Sequence, residues 1–253
     1  MVKQKLIMNY RVFKLFFLKN IDYHIVEDFR TEESMFYTSR ALFWRKILNW
    51  DIPTESDYSN NYFVICDAPY DITDYKSKHR NKIRRSLDHL DIEFTNKRSF
   101  LKECQHLYNR SPHKILGFRI SLKKLISRPG ESKFLILKNK KTGKIEGFCH
   151  LTIGEKSVET NIQRFEGNYN PSWGITYYLN RKYVQGERKY IINGYKSNFH
   201  GNVFQQDLLK YHGYRKCYVN VIYKTKLPKL IIRLLIKFLP GRSNYLKILN
   251  EFK

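Results

Sequence analysis

Cysteine is scarce in this chain. Its four residues stand at positions 66, 104, 149 and 217, none in Cys-x-x-Cys spacing, which argues against a disulfide framework or a zinc ribbon. A reducing, cytoplasmic compartment is the default expectation. The eight histidines are scattered, so no metal site is expected. Twelve glycines and seven prolines in 253 residues are too few for a collagen-like or low-complexity chain. The sequence holds no G-x-x-x-x-G-K-S/T loop, G-x-S-x-G elbow, H-E-x-x-H pair or dinucleotide fingerprint. P-loop phosphoryl transfer, serine hydrolysis and zinc proteolysis therefore lose their usual support. Long hydrophobic runs are missing too. The most apolar stretch, 227–239, is broken by Lys229, Arg233 and Lys237, and a helix of about twelve residues rises only ~18 Å against ~30 Å of hydrocarbon. Lys14 interrupts the N-terminal apolar run and no small-residue cleavage site follows, so residues 1–20 are not read as a signal peptide.

Acidic residues are the other shortage: 23 Asp and Glu against 47 Lys and Arg, a formal charge of +24. Hydrophobic residues at 42% and aromatics at 15% nevertheless supply a core, which argues against disorder. The excess implies an anionic partner: nucleic acid, a phosphate-bearing substrate or an acidic membrane. Its distribution is uneven. Residues 21–75 carry four basic and eleven acidic side chains, whereas 76–223 carry thirty and eleven, and 224–253 eight and one. A uniform lysine bias would not produce that reversal.

Hydrophobic spacing and turn residues give a coarse order. Helices are expected at 40–50, 72–90, 99–110, 120–127, 173–185 and 202–211. Strands are expected at 62–66, 91–95, 133–138, 145–153, 156–165, 189–193 and 214–223. This is an α/β (α+β) pattern with a mixed, mostly antiparallel centre. It divides into an N-terminal segment, 1–90, a domain at 91–223 and a basic tail at 224–253.

The central hairpin carries a polar cluster. A type II′ turn at Gly154-Glu155 predicts His150 opposite Glu159 and Phe148 opposite Asn161, with Gln163 on the same face. Directly opposed residues have Cβ atoms about 4.5–5.5 Å apart, so Glu159 and His150 are candidate general bases. The same alternation also describes a half-exposed sheet with an incidental pair. Residues 75–85 hold six cations. Arg80 and Arg84, four apart, share a helix face and suit phosphate, while a solvated charged face reads equally well. In the tail, Pro228 and Pro240 bracket a helix at 228–239 whose cations form a narrow stripe. It suits an anionic membrane surface, or docking on the domain with its basic edge in solvent.

The element order is that of the GNAT acyltransferase fold. SKHRNKIRRSL (77–87) resembles the K-x-R-x-x-I-R-K helix of Fem-type aminoacyltransferases. The run 189–216, with Gly194, Lys196, Ser197, His200, Gln205, Gly213, Tyr214 and Arg215, is similar to the closing part of GNAT-like proteins of bacterial surface-polysaccharide clusters. The resemblance spans about residues 60–223. It implies an acyltransferase that uses acyl-CoA (acetyl-CoA) or aminoacyl-tRNA as donor and an amine of a sugar or lipid-linked envelope precursor as acceptor. His200 becomes an alternative base or substrate ligand and Tyr195 a proton donor to the leaving group. Lys196, Ser197, Gln205, Asn161 and Gln163 become substrate contacts. Residues 168–174 depart from the Gly-rich CoA loop, and Pro171 has no N–H to give. Fem-type enzymes lack that loop as well, but have two GNAT repeats where this chain has room for a truncated first one. A cytoplasmic protein, peripheral on the membrane, is the leading expectation. A non-catalytic GNAT-fold binder of anionic membrane or polymer and an RNA- or tRNA-binding protein are the alternatives.

Overall fold

A computed structural model describes residues 10–13, 17–20, 43–51, 62–112, 114–115, 118–119, 121–126, 131–196, 203–228 and 230–231. The strands are β1 (Tyr10–Phe13), β2 (Phe17–Asn20), β3 (Phe43–Trp50), β4 (Tyr62–Cys66), β5 (Leu90–Thr95) and β6 (Lys114–Ile115). They continue with β7 (Phe118–Arg119), β8 (Glu131–Asn139), β9 (Ile145–Ile153), β10 (Ser157–Phe165), β11 (Tyr190–Lys196) and β12 (Arg215–Thr225). The helices are α1 (Ser77–His89), α2 (Lys97–Arg110), α3 (Leu122–Ile126), α4 (Pro171–Leu179) and α5 (Val203–Tyr211).

The chain forms two compact units. One gathers Met1–Phe63, Tyr195–Gly201 and Cys217–Lys253. In it β1 and β2 form an antiparallel hairpin, β2 runs parallel to β3, and β3 pairs antiparallel with β12 from Trp50↔Val219 to Phe43↔Thr225. Residues 43–50 are therefore a strand where the spacing predicts a helix. Phe43, Trp44, Ile47 and Trp50 favour a strand, and β12 supplies the partner that decides between two readings of a short apolar run.

The other unit, Val64–Gly194 with Asn202–Lys216, holds strands in the order β4-β11-β10-β9-β8-β5. Pairing is antiparallel from β5 to β10 and parallel between β10 and β11. The expected mixed, mostly antiparallel sheet is present. Every residue of β9 except Ile153 is buried, so both sheet faces are covered. On one, Phe100, Cys104 and Leu107 of α2 and Leu122 and Leu125 of α3 pack with Phe134, Phe148 and Ile162. A second core joins Tyr75 and Ile83 with Trp173 and Tyr177 of α4. There α1 and α4 approach closely, because a Cβ on Gly174 would overlap Ser86 Oγ. All four cysteines are free and buried.

Local chemistry sets the helix ends. Residues 72–90 do not form one helix. Asp71 caps a 3-10 turn at Ile72–Asp74, accepting from Ile72 N (2.6 Å) while Asp74 Oδ2 accepts from Asp71 N (2.7 Å). Tyr75 is then extended, and α1 starts at Ser77. Asn96 caps α2 by accepting from Ser99 N at 2.9 Å, so Ser99 lies inside the helix. Pro171 opens α4, where a missing N–H costs nothing, and a π-helical turn, Asn180–Gly186, continues it. Inside that turn, Asn180 Nδ2 donates to Cys66 Sγ (3.0 Å) and its Oδ1 accepts from Tyr70 N (3.3 Å).

Candidate active site

The cleft forms where two parallel strands part. β10 and β11 pair only at Ser157↔Tyr190, Val158↔Ile191 and Glu159↔Ile192. Beyond that point the β9–β10 register slips between Thr160 and Ile162. Asn161 is the extra residue, and a bulge of this kind bends its strand. On β11, Gly194 has φ +73°, a conformation glycine adopts without strain. Side chains occupy the main-chain groups at the fork. Thr160 Oγ1 donates to Ile192 O (3.2 Å), Asn193 Nδ2 to Thr160 Oγ1 (2.7 Å), and Gln205 Nε2 to Asn193 O (2.6 Å). These bonds satisfy buried groups that would otherwise oppose the separation. The resulting cleft of about 350 Å³ is lined by residues 160–165 of β10, by Asn193, and by Phe204 of α5.

Arg164 lies along this wall. Its Nε donates to Ser111 O at the end of α2 (2.8 Å) and its Nη1 to Gln163 O (2.7 Å). Burial pushes its pKa below the ordinary arginine value. Glu166, two residues on, is bound to Arg110. At the bulge in mid-strand, Asn161 Nδ2 donates to Thr152 Oγ1 (2.7 Å).

The hairpin register differs from the expected one. Ile153 opposes Val158, and Gly154 N donates to Ser157 O (2.8 Å), so residues 154–156 connect the strands and the register lies two residues beyond the expected one. His150 consequently faces Ile162, and Glu159 faces Thr152. The expected His150–Glu159 opposition does not form. His150 is fully buried, stacks on Phe134 at 5.0 Å and meets Ser132 Oγ at 3.1 Å. Arg164, not Asn161, opposes Phe148. Beyond the bulge, Gln163 faces Cys149 instead of sharing the His150 face.

The structure thus brings Asn161, Gln163 and Gln205 to the cleft or its support. Glu159 is half-buried and pairs with Ile192, one residue before the cleft lining begins. Arg80 donates to Tyr75 O (2.8 Å), Arg84 is exposed on α1, and neither lines the cleft. Tyr195 and Lys196 belong to β11, but their side chains, like Ser197 and His200, lie outside the described residues. Of the expected helix at 228–239, only 228, 230 and 231 are described, with Leu230 and Ile231 exposed. Thr160, Arg164, Asn193 and Phe204 were not anticipated. Only Asn193, next to the strand-ending glycine, carries a sequence signal.

The loop before α4 is poorly suited to an anion. Pro171 lacks an N–H, and Trp173 N and Gly174 N donate to Asn170 O (2.9 and 3.5 Å). Beneath it, Glu146 is buried. Its Oε1 accepts from Asn139 Nδ2 (2.7 Å), while its Oε2 has no hydrogen-bond partner and lies against Gly167.

No protein-family model matches the chain, and no curated protein does. Solved structures do resemble it. FemX is similar with a TM-score of 0.51 and 8% identity, over 89% of this chain and 85% of that one. L-PGS from Bacillus licheniformis gives a TM-score of 0.45 at 14% identity, over 73% of this chain and 66% of that one. A tandem GNAT protein of the clavulanic acid biosynthesis pathway gives 0.39 at 10%, over 84% and 75%. This chain therefore spans about two thirds of the L-PGS chain. It has a GNAT-like fold, similar to that of FemX. Among the described residues no helix is long and apolar enough to cross a membrane.

Proposed function

We propose that this protein is a GNAT-like N-acyltransferase whose reaction takes place in the β10–β11 cleft. The carrying observation is the fork itself: a bulged strand separating from its parallel partner, held open by the Thr160–Asn193–Gln205 chain. An extended donor arm fits along the freed edge of β10, and an amine reaches it from the cleft mouth. Attack forms the N–C bond and breaks the ester or thioester bond of the donor. The amine proton goes to a base and the leaving oxygen or sulfur takes one up. Glu159, half-buried in the last β10–β11 pair before the cleft, is our candidate base, directly or through water. His150 is too deep to touch substrate. Tyr195, Lys196, Ser197 and His200 keep their assignments through the resemblance alone.

Between the two donors, the loop before α4 favours aminoacyl-tRNA. A helix N-terminus binds pyrophosphate through free N–H groups and its dipole. Here the first N–H is missing and a buried carboxylate lies under the loop. The positive charge beyond residue 75 suits a polyanionic donor. The acceptor we place among amine-bearing, phosphate-bearing envelope precursors, at a membrane surface contacted through 228–239.

Calorimetry with acetyl-CoA, a longer acyl-CoA and charged tRNA tests the donor. Binding of charged tRNA with little affinity for either CoA ester is expected. Binding of none of the three would overturn the enzyme reading and leave a non-catalytic scaffold. Where turnover is measured, Glu159→Gln should lower kcat with the fold intact.

A further inference from the structure

We propose that Arg164 anchors an oxyanion of the acceptor, a phosphate or a carboxylate, on the wall of the β10–β11 cleft. This rests on the cleft being the acyl-transfer site. Two main-chain carbonyls, Ser111 O and Gln163 O, fix the guanidinium through Nε and Nη1. Nη2 has no hydrogen-bond partner among the described residues, and no carboxylate there pairs with Arg164. Arg110, next to Ser111, is by contrast paired with Glu166. A guanidinium held in the protein without a counter-charge is costly, and a planar fork fixed at two of its nitrogens matches the geometry of an incoming oxyanion.

Position adds a length requirement. Arg164 follows the bulge residue Asn161 by three positions, about 10 Å along an extended strand. An acceptor whose amine reacts at the fork would thus carry its anionic group roughly 10 Å away. Gln163, between the two points, faces Cys149 on the other side of the strand, so the anchoring falls to Arg164. The cleft therefore selects a bifunctional molecule, an amine at one end and an oxyanion at the other.

The competing explanation is that Arg164 only ties β10 to the end of α2. The test titrates the full-length protein with inorganic phosphate and, separately, with acetate, following the arginine Nε–H resonances by NMR. Saturable movement of the Arg164 signal is expected with at least one of them, and which one distinguishes a phosphate-bearing from a carboxylate-bearing acceptor. Arg164→Gln should weaken that affinity by about tenfold or more, and Arg164→Lys by less, since charge without the fork remains. A flat titration with both anions, or equal affinity in Arg164→Gln, overturns the proposal. A purely structural tie would instead lower the melting temperature of both variants and leave anion binding unmoved. If Arg164→Gln fails to fold, the wild-type titration and Arg164→Lys decide. Charged-tRNA binding is measured in parallel. Its loss in the wild type would remove the transferase reading while leaving the anion result standing.

Discussion

Asn193 Nδ2 donates to Thr160 Oγ1 across 2.7 Å, at the point where β10 and β11 leave each other. Both residues are buried although they line the cleft, so water replaces a lost partner poorly. Thr160→Val should cost about 1–3 kcal/mol, because it strands the Asn193 amide. Urea denaturation reads this as a lower midpoint with an unchanged slope. Donor binding should fall with it. An unchanged midpoint would mean that the bulge alone keeps the strands apart.

Gly174 and Ser86 give a second, opposite pair of outcomes. Gly174→Ala puts a Cβ onto Ser86 Oγ and Cβ, so α1 and α4 must separate. A loss of about 1–3 kcal/mol is expected in thermal melts. Ser86→Ala should be neutral or stabilising, since its buried hydroxyl has no hydrogen-bond partner and its removal strands nothing. A large destabilisation by Ser86→Ala would show that the hydroxyl has a structural role.

His212 makes stability depend on pH. Its ring packs on Trp173 (4.3 Å), meets Tyr75 Oη at 3.2 Å and is buried. Burial, then His79 and Lys82, push its pKa down to about 3. The folded state thus resists a proton that the unfolded chain accepts near the ordinary histidine value of 6.5. This contribution is complete above pH 6.5 and is lost as pH falls toward 3, at about 1.4 kcal/mol per pH unit. His79, also lowered by burial and neighbouring lysines, adds in the same direction. Melting temperatures measured from pH 7 to pH 4 should fall, and His212→Gln should flatten part of the fall. Parallel profiles for the two proteins would refute the assignment.

The strands were the most legible part of the sequence. β4 and β9 occupy the expected residues, because short apolar runs bounded by turn residues leave few alternatives. Residues 40–50 are ambiguous in sequence because their apolar spacing fits both periods and the pairing strand, from Val219↔Trp50 to Thr225↔Phe43, is remote in the chain. In the cleft, alternation was followed one residue too far. Parity puts Gln163 with His150, but the bulge at Asn161 reverses the face of everything beyond it. A bulge of this kind has no signature in a single sequence. The same is true of Arg164, whose partners Ser111 and Gln163 offer only main-chain oxygens, identical at every residue type.

The burial of the four free cysteines gives the protein a built-in clock for its own opening. Burial holds the Cys66 and Cys104 thiols up to about 12 and pushes Cys149 well above its ordinary value, so these three form almost no reactive thiolate in the native state. An alkylating reagent can then modify the chain only as fast as the chain exposes these residues. Cys104, in the core between α2 and the sheet, and Cys66, tied to the π-turn, would time two different regions. Equal labelling rates would mark one cooperative opening, and a faster Cys66 would show that the turn after α4 loosens first.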